Sequence, residues 1–351
     1  MFADKQLPIG VDIGSSYIKV VQLKDTKKGY ELSFFDMLPI QPGIIADSGI
    51  ADKQRLVEFL KELLKRAGIS KGEAAIGLSG QSSVIIKRVS MPLMTGAELD
   101  LSIKYEAEQY IPLDLNAVAM DYHIIGPKSP TDNQMEVLLV AVKKDLLNDY
   151  VESIRSSGLE PAVVDVQQFA LNNMYELNYD VTKIKNVALV NVGASSTSVN
   201  ILQDGIPLFL RESDVGSNYH TEMLEKTFGL PREDAERLKK RFPIEGVPPG
   251  EAQSVINKAS DEIYAEVYRS IEVFRSNFYE QEVNKIILCG GAALIKDFAF
   301  LMSQRLDVEV EIVDPFRKIF IPEKLNPSFI KEMAPIAATA VGLALRQAGD
   351  R

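Results

Sequence analysis

Apolar positions along this chain alternate with polar ones in some stretches and recur every three or four residues in others. The switches between the two periods mark its elements. Residues 8–23 read as a hairpin turning at Gly14-Ser15-Ser16, and 30–38 as a third strand. Leu56, Leu60, Leu63, Leu64 and Ala67 share one face of a helix predicted over 52–67, with Gly68 as its stop. Strands at 74–78 and 84–89 flank the turn Ser79-Gly80-Gln81, and Met91-Pro92 ends that unit. An acid-rich helix over 97–110 closes at Ile111-Pro112, and strands at 120–125 and 137–142 enclose an exposed segment, 126–134. A helix at 145–157, a strand at 162–166 and a helix at 168–177 complete the first half. The second half opens with a strand at 187–191, then helices at 217–228 and 232–241, and a Pro/Gly loop at 243–250. A long helix at 252–280 buries Val255, Ala259, Ile263, Val267, Ile271 and Phe274. A strand at 286–288 runs into Cys289-Gly290-Gly291, and a helix of small residues at 334–345 reads as a buried connector. This mixed order predicts an α/β protein of two related domains, 1–180 and 181–351, with a cleft between them.

One pattern occurs twice. Residues 9–20 and 188–199 are each an apolar strand, a polar residue, a glycine turn with small hydroxyl residues, and a second β-branched strand. Asp12 matches Asn191 and Gly14 matches Gly193, both at an offset of 179 residues. Backbone N–H groups in such turns form anion-binding nests, and glycine lets the backbone approach closely. Gly14, Ser15 and Ser16 form the first candidate phosphate loop, with Lys19 to neutralise charge and Asp12 to hold a hydrated Mg²⁺. Gly193, Ala194, Ser195, Ser196 and Thr197 form the second, with Asn191 facing the metal through water. A strand ending at Gly290-Gly291 can bring backbone flat against a base or ribose, with Ala292 and Leu294 beside it. Glu236 and Lys239, one helical turn apart, could grip a ribose or adenine edge. Gly216 joins the same candidate set.

Bulk properties narrow the field. At 351 residues, the chain is long enough for about two cores. Its net charge of −10 argues against a nucleic-acid partner and against electrostatic attachment to anionic lipid. A single cysteine, Cys289, rules out an internal disulfide and fits a reducing compartment. With it, His123 and His220 are the only soft ligands, so a transition-metal site is not expected. No run of about 18 apolar residues is present, and the N-terminus lacks a signal-peptide core, so a cytoplasmic protein without direct membrane insertion is expected.

The order of the elements is phosphate loop, second phosphate loop, Ala235-Glu236-Arg237-Leu238-Lys239 helix, then Gly290-Gly291. This order resembles the actin, Hsp70 and sugar-kinase ATPase superfamily over the whole chain. The stretch from Tyr105-Glu106-Ala107-Glu108-Gln109-Tyr110-Ile111-Pro112-Leu113-Asp114 to Met120-Asp121-Tyr122, with 164–171 and 187–199, is similar to the PilM family of actin-like type IV pilus assembly proteins. That family is itself similar to FtsA. The resemblance implies duplicated actin-like ATPase domains with a central nucleotide cleft and an inserted 1C subdomain, here about 86–162. It implies ATP and Mg²⁺ as cofactors. It also implies that the N-terminal cytoplasmic tail of a PilN-like inner-membrane protein binds in a groove between 1A and 1C, where Met91, Met94 and Met120 could pack. The protein would then be peripheral to the inner membrane through this partner, in contact with other pilus components and able to form a homo-oligomer.

The chain departs from the superfamily at Asn191, where an Asp is usual; an amide adds no negative charge. The nearest match to the catalytic Glu or Gln is Gln167, with Asp165 two residues before it. Gln167 can orient a water but is a poor base. Tight ATP binding with slow or absent hydrolysis is therefore expected. An FtsA-like division protein is the alternative, less favoured because the chain ends soon after the connector without a basic amphipathic helix. A small-molecule kinase of the same superfamily would need a sugar-contacting motif that is not seen.

Overall fold

In the computed structural model the described residues are 5–46, 49–80, 82–127, 133–279 and 281–350. Gln81 of the predicted turn, 128–132 of the predicted exposed segment and Glu280 of the predicted long helix lie outside them.

The two halves carry the same sheet. In the first, Gly29–Pro39, Tyr17–Thr26, Ile9–Ile13, Glu73–Leu78 and Glu160–Val166 lie side by side. In the second the order is Ile206–Ser213, Thr197–Gln203, Asn186–Val192, Lys285–Cys289 and Glu309–Ile312. Both begin with two antiparallel pairings and end with two parallel ones. The central strands Ile9–Ile13 and Asn186–Val192 are almost wholly buried because helices cover both faces.

The helices Lys53–Arg66 and Lys144–Ser157 cover the outer face of the first sheet. Asp52 caps the former, its carboxylate accepting from Arg55 N. Pro249–Asn277 and Phe298–Leu306 cover the outer face of the second sheet. Between the sheets run Gln167–Asn178 and Pro327–Ala344, whose core includes Leu171, Met174, Ala338 and Val341 together with Val21, Leu189 and Ile287 from both halves. Residue 180 therefore divides the chain's repeats but not its core. The two central helices meet at very short range: a Cβ added to Gly342 would lie 1.7 Å from the Ala170 carbonyl oxygen. The second helix starts seven residues before the 334 expected, capped by Asn326 with Pro327 at its first turn. Pro335, which reads as a helix start, sits inside it.

Val84–Pro92, Gln134–Lys143 and Val118–Pro127 form a separate antiparallel sheet, with the helix Gly96–Ala107 packed on it through Leu99, Ile103 and Ala107. This is the inserted module, and the strands flanking the Ser79-Gly80 turn belong to different sheets. The module is shorter than the 86–162 expected. Leu146, Tyr150 and Ile154 of Lys144–Ser157 pack in the first-half core, and Glu160–Val166 is an edge strand of the first sheet. A helix that follows an insertion directly reads as part of it until its packing partner is known.

Candidate nucleotide-binding site

The two glycine turns have the same internal bond. Gly14 N–H donates to Tyr17 O at 3.0 Å, and Gly193 N–H donates to Ser196 O at 2.9 Å. The acceptors, like the donors, are 179 residues apart. Each glycine N–H is thus spent inside its own turn, contrary to the expectation that Gly14 offers its N–H to an anion; Ser15 and Ser16 are left to do so. The turns face each other across the cleft, with Ser15 Oγ 3.0 Å from Ser195 Oγ.

Beneath the first turn lies a buried charge pair. Lys19 is the cross-strand partner of Asp12, and its Nζ is 2.7 Å from Asp12 Oδ2. The other carboxylate oxygen accepts from Gln167 Nε2 at 3.3 Å. Gln167 opens the helix Gln167–Asn178, one residue before the 168 expected. Its Cγ would be 3.0 Å from a Cβ on Gly77, so that glycine gives it room to reach the cleft. Asp165 is not in this group: Arg346 Nε lies 3.0 Å from its Oδ2. Burial pushes the Asp165 carboxyl above its ordinary range, and the Arg346 charge only partly opposes this.

The second turn is anchored differently. Ser217 N–H and Asn218 N–H donate to the carbonyls of Gly193 and Ala194, both at 2.8 Å, tying the turn to the start of the helix Asn218–Phe228. A Cβ on Gly216 would be 2.5 Å from the Ala194 carbonyl oxygen, so Gly216 supports the turn. The Thr197 hydroxyl donates to Val215 O at 2.6 Å and is buried, a strut and not a phosphate donor. Asn191, opposite Ser198, stands where Asp12 stands opposite Lys19.

Glu236 and Lys239 meet at 2.7 Å, and Lys239 Nζ also reaches Thr221 Oγ1 at 2.8 Å and Ser217 O at 3.3 Å. Burial pushes the Glu236 carboxyl up, but Lys239, with the Thr221 hydroxyl and the Lys240 charge, more than reverses this and holds it below its usual range. Both side chains are thereby fixed against the helix that follows the second turn. His220 of that helix is fully buried, its ring nitrogens against Ser217 O and Ser260 Oγ. Burial, helped by the Lys239 charge, lowers its pKa to about 4, so the ring is neutral near pH 7. Gly290, at φ +87°, packs against the strand before the second turn: a Cβ there would be 2.3 Å from Val192 O and 2.6 Å from Asn191 Oδ1. Gly291 has open space on its side-chain face, Ala292 is buried and Leu294 is exposed. Cys289 is a buried core residue whose thiol burial pushes well up. His123 is exposed on the module's edge strand.

Glu212 is a site residue that the sequence pattern did not single out. This residue of Ile206–Ser213 is opposite Ser198, in the row that begins at Asn191. Its carboxylate accepts from Ser196 of the second turn, and at 3.4 Å from both Gly80 N–H and Gln168 Nε2 of the first half. Further bonds join the halves. Lys240 Nζ is 3.3 Å from Tyr17 OH, and Arg88 of the module, paired with Glu136 at 2.8 Å, donates to Pro207 O at 3.3 Å.

A groove of about 470 Å³ on the module lies between the helix Gly96–Ala107, the turn Leu115–Ala117 and Lys144. Met120 lines it, Met91 is buried in the module's core, and Met94 Sδ accepts from Ser102 Oγ. Leu101 and Tyr105 are exposed along the same helix. Among the described residues no helix is long and apolar enough to cross a membrane, and no cluster of three acidic, His or Cys side chains could hold a metal.

A solved PilM–PilN type IV pilus biogenesis complex contains a chain that superposes with a TM-score of 0.85, at 27% identity over 97% of this chain and 98% of that one. The ethanolamine utilization protein EutJ from Carboxydothermus hydrogenoformans shares the fold, at a TM-score of 0.59, 15% identity, 98% of this chain and 90% of that one. So does MreB 5 of Spiroplasma citri bound to AMPPNP, at 0.53 and 12%, covering 95% of this chain and 93% of that one. The cell division protein FtsA of Bacillus subtilis (strain 168) is 20% identical over 325 residues, 86% of this chain and 70% of that protein. The fold is thus that of the actin-like ATPases. The family described as type IV pilus assembly protein PilM matches residues 10–348, and the chain belongs to that family.

Proposed function

We propose that this protein is an ATP-binding scaffold of the type IV pilus assembly machinery. It works at the cytoplasmic face of the inner membrane, where it holds the N-terminal tail of a PilN-like protein and hydrolyses ATP slowly or not at all. The observation that carries the nucleotide reading is the pair of matched turns set face to face, Ser15 against Ser195. Phosphates between them would separate the two hydroxyls and meet the Ser15 and Ser16 N–H groups from one side and the second turn from the other. The ExxK pair and the open face at Gly291 fit the ribose and base.

The donor set fits Mg²⁺ in its usual nucleotide role, with few protein ligands, several waters and the phosphates. Asp12 and Asn191 would hold it through water, and bound Mg²⁺ would offset phosphate charge. Asp12 and Lys19 neutralise each other in the structure. With nucleotide bound, Asp12 would face the metal and Lys19 the phosphates, so neither buried charge would be left unpaired. Gln167, hydrogen-bonded to Asp12, would orient a water, yet it has no basicity with which to deprotonate it. Asn191 contributes no second charge. These two residues support binding over turnover. The groove on the inserted module, lined by Met120, together with the adjoining concave surface lined by Leu101 and Tyr105 on the same helix, is the docking site we favour for the apolar side chains of the tail.

Calorimetric titration of the purified protein with MgATP tests the nucleotide reading, with Asp12→Ala as the control that leaves Lys19 unpaired. No heat and no ATP-dependent rise in melting temperature would sink it. Turnover on the order of 1 s⁻¹, typical of working enzymes, abolished in Asp12→Ala, would sink the slow-hydrolysis part. Binding of a synthetic PilN tail that is unaffected by Tyr105→Glu would move the peptide elsewhere.

A further inference from the structure

Glu212 draws hydrogen bonds from three separate places. Gly80 belongs to the turn just before the inserted module, Gln168 to the first turn of the helix that carries Gln167, and Ser196 to the second glycine turn. The first two are in one half of the molecule, while Glu212 and Ser196 are in the other. The seam around it is polar and incompletely bonded. Gln168 Oε1, Asn200 Oδ1 and Ser213 Oγ are buried without a hydrogen-bond partner. Such atoms are costly to leave unpaired, so each calls for a water or a ligand atom as partner. Burial pushes the Glu212 carboxyl above its ordinary range, and these donors only partly reverse this.

A serine hydroxyl has one proton to give. Ser196 gives its proton to Glu212, and a phosphate seated in the second turn would ask for the same one. We propose that Glu212 is a clasp between the two halves that competes with the nucleotide for Ser196. It holds the cleft shut and lowers nucleotide affinity until phosphate displaces it. The competition rests on the reading of the cleft as an ATP site; the clasp itself does not. Glutamine at this position has nearly the same shape. Its carbonyl still accepts from Gly80 N–H, while its NH₂ donates to Ser196 Oγ and frees the hydroxyl proton. It also removes a negative charge from beside the phosphates.

The test has two arms on the full chain. In the first, wild type and Glu212→Gln are titrated with MgATP. The expected result is binding tighter by roughly ten-fold in the variant, the scale of removing one like charge at a partly buried site. Equal binding overturns the competition. Weaker binding overturns it too, and makes Glu212 a carboxylate that helps hold the metal's water. In the second arm, hydrogen exchange is followed without nucleotide in wild type and Glu212→Ala. Exchange is expected to accelerate around Gly80 and in 194–197, while the strand Lys285–Cys289 keeps its protection and reports that the fold is intact. Unchanged exchange at those amides overturns the clasp. If neither protein binds MgATP in the first arm, the ATP reading falls and the competition with it, and the second arm alone decides the clasp.

Discussion

Replacing Gly342 by alanine tests the crossing on which the cleft is built. A Cβ at this position would lie 1.7 Å from the Ala170 carbonyl oxygen and 2.4 Å from the carbonyl carbon. Optimal heavy-atom separation is about 3.5–4.0 Å, so the helices Gln167–Asn178 and Pro327–Ala344 would have to part by roughly 1.5–2 Å. The clashing atoms are backbone and cannot rotate away. Against this, alanine gains about 1 kcal/mol of helix propensity over glycine. Overpacking alone costs about 1–3 kcal/mol. The separation also loosens Leu171, Met174, Ala338 and Val341, at about 0.8 kcal/mol for each methylene group no longer packed. The net expectation is a loss of about 3 kcal/mol, or a melting temperature lower by roughly 4 °C for a chain of this length. Gln167 opens one of the two helices, so MgATP affinity should fall as well. Urea unfolding of both proteins measures the first effect, read as a lower midpoint at constant m-value. A variant as stable as wild type, or more so, would mean that helix propensity has won and that the helices do not cross at this distance.

Gly290→Ala faces both a positive φ and the Val192 carbonyl 2.3 Å away. It should cost about 2–4 kcal/mol in denaturant melts, and a neutral result would contradict the packing of the third glycine element. His220 has a folded pKa of about 4, below its unfolded value near 6.5. Between these values the unfolded chain binds the extra proton, so its contribution is complete above about pH 6.5 and lost as pH falls towards 4. The loss totals about 3 kcal/mol, and His220→Asn should flatten this part of the stability–pH curve. An unchanged slope would show that the ring is not buried neutral. Cys289 should resist thiol reagents in the folded protein and react at full rate in denaturant, because burial both hides the thiol and disfavours the thiolate. Rapid labelling of the native protein would overturn its placement. Lys19→Met leaves Asp12 buried with only Gln167 as partner, and should lower stability by about 3 kcal/mol while abolishing MgATP binding. Retained affinity would remove Lys19 from the phosphate site.

Local period made most elements legible. The stripe Leu56, Leu60, Leu63 and Leu64 is the buried face of Lys53–Arg66, and the two glycine turns stand where their flanking strands put them. What period cannot show is partnership. The helix Lys144–Ser157 has the same amphipathic pattern whether it covers the module or the first sheet, and only Leu146, Tyr150 and Ile154 packing in the first core decide it. Asp165 and Gln167 are close in sequence, but the chain turns from strand to helix between them. One faces Arg346 and the other Asp12. Glycine N–H groups read as anion donors until the turn's own carbonyls claim them, as Tyr17 and Ser196 do. Glu212 left one trace in the sequence: Asp204-Gly205 is a hairpin signal. It predicts a strand folding back from 206, which in simple register would set Arg211 opposite Ser198; the bulge between Ile201 and Leu202 shifts the pairing by one residue and brings Glu212 there instead.

Glu212's place in the sheet changes the meaning of Asn191. In the first half the row across the sheet is Asp12, Lys19 and Met37; in the second it is Asn191, Ser198 and Glu212. From Asn191 alone, the second half has lost its charge. From the whole row, the first half keeps a neutralised pair at the sheet's centre, while the second half carries a carboxylate two strands away, bonded across the seam. A central Asp would face the metal, whereas a carboxylate at the third position faces the opposite half of the protein. On the proposed reading, the duplicated turns would clamp phosphate from both sides, and the acid of the second half would serve the closing of the cleft. Such a distribution suits a protein whose nucleotide sets its shape. A carboxylate restored by Asn191→Asp tests this directly. If the row's charge placement is what limits turnover, ATP hydrolysis should rise by about ten-fold or more with Glu212 unchanged. No rise would place the limit at Gln167.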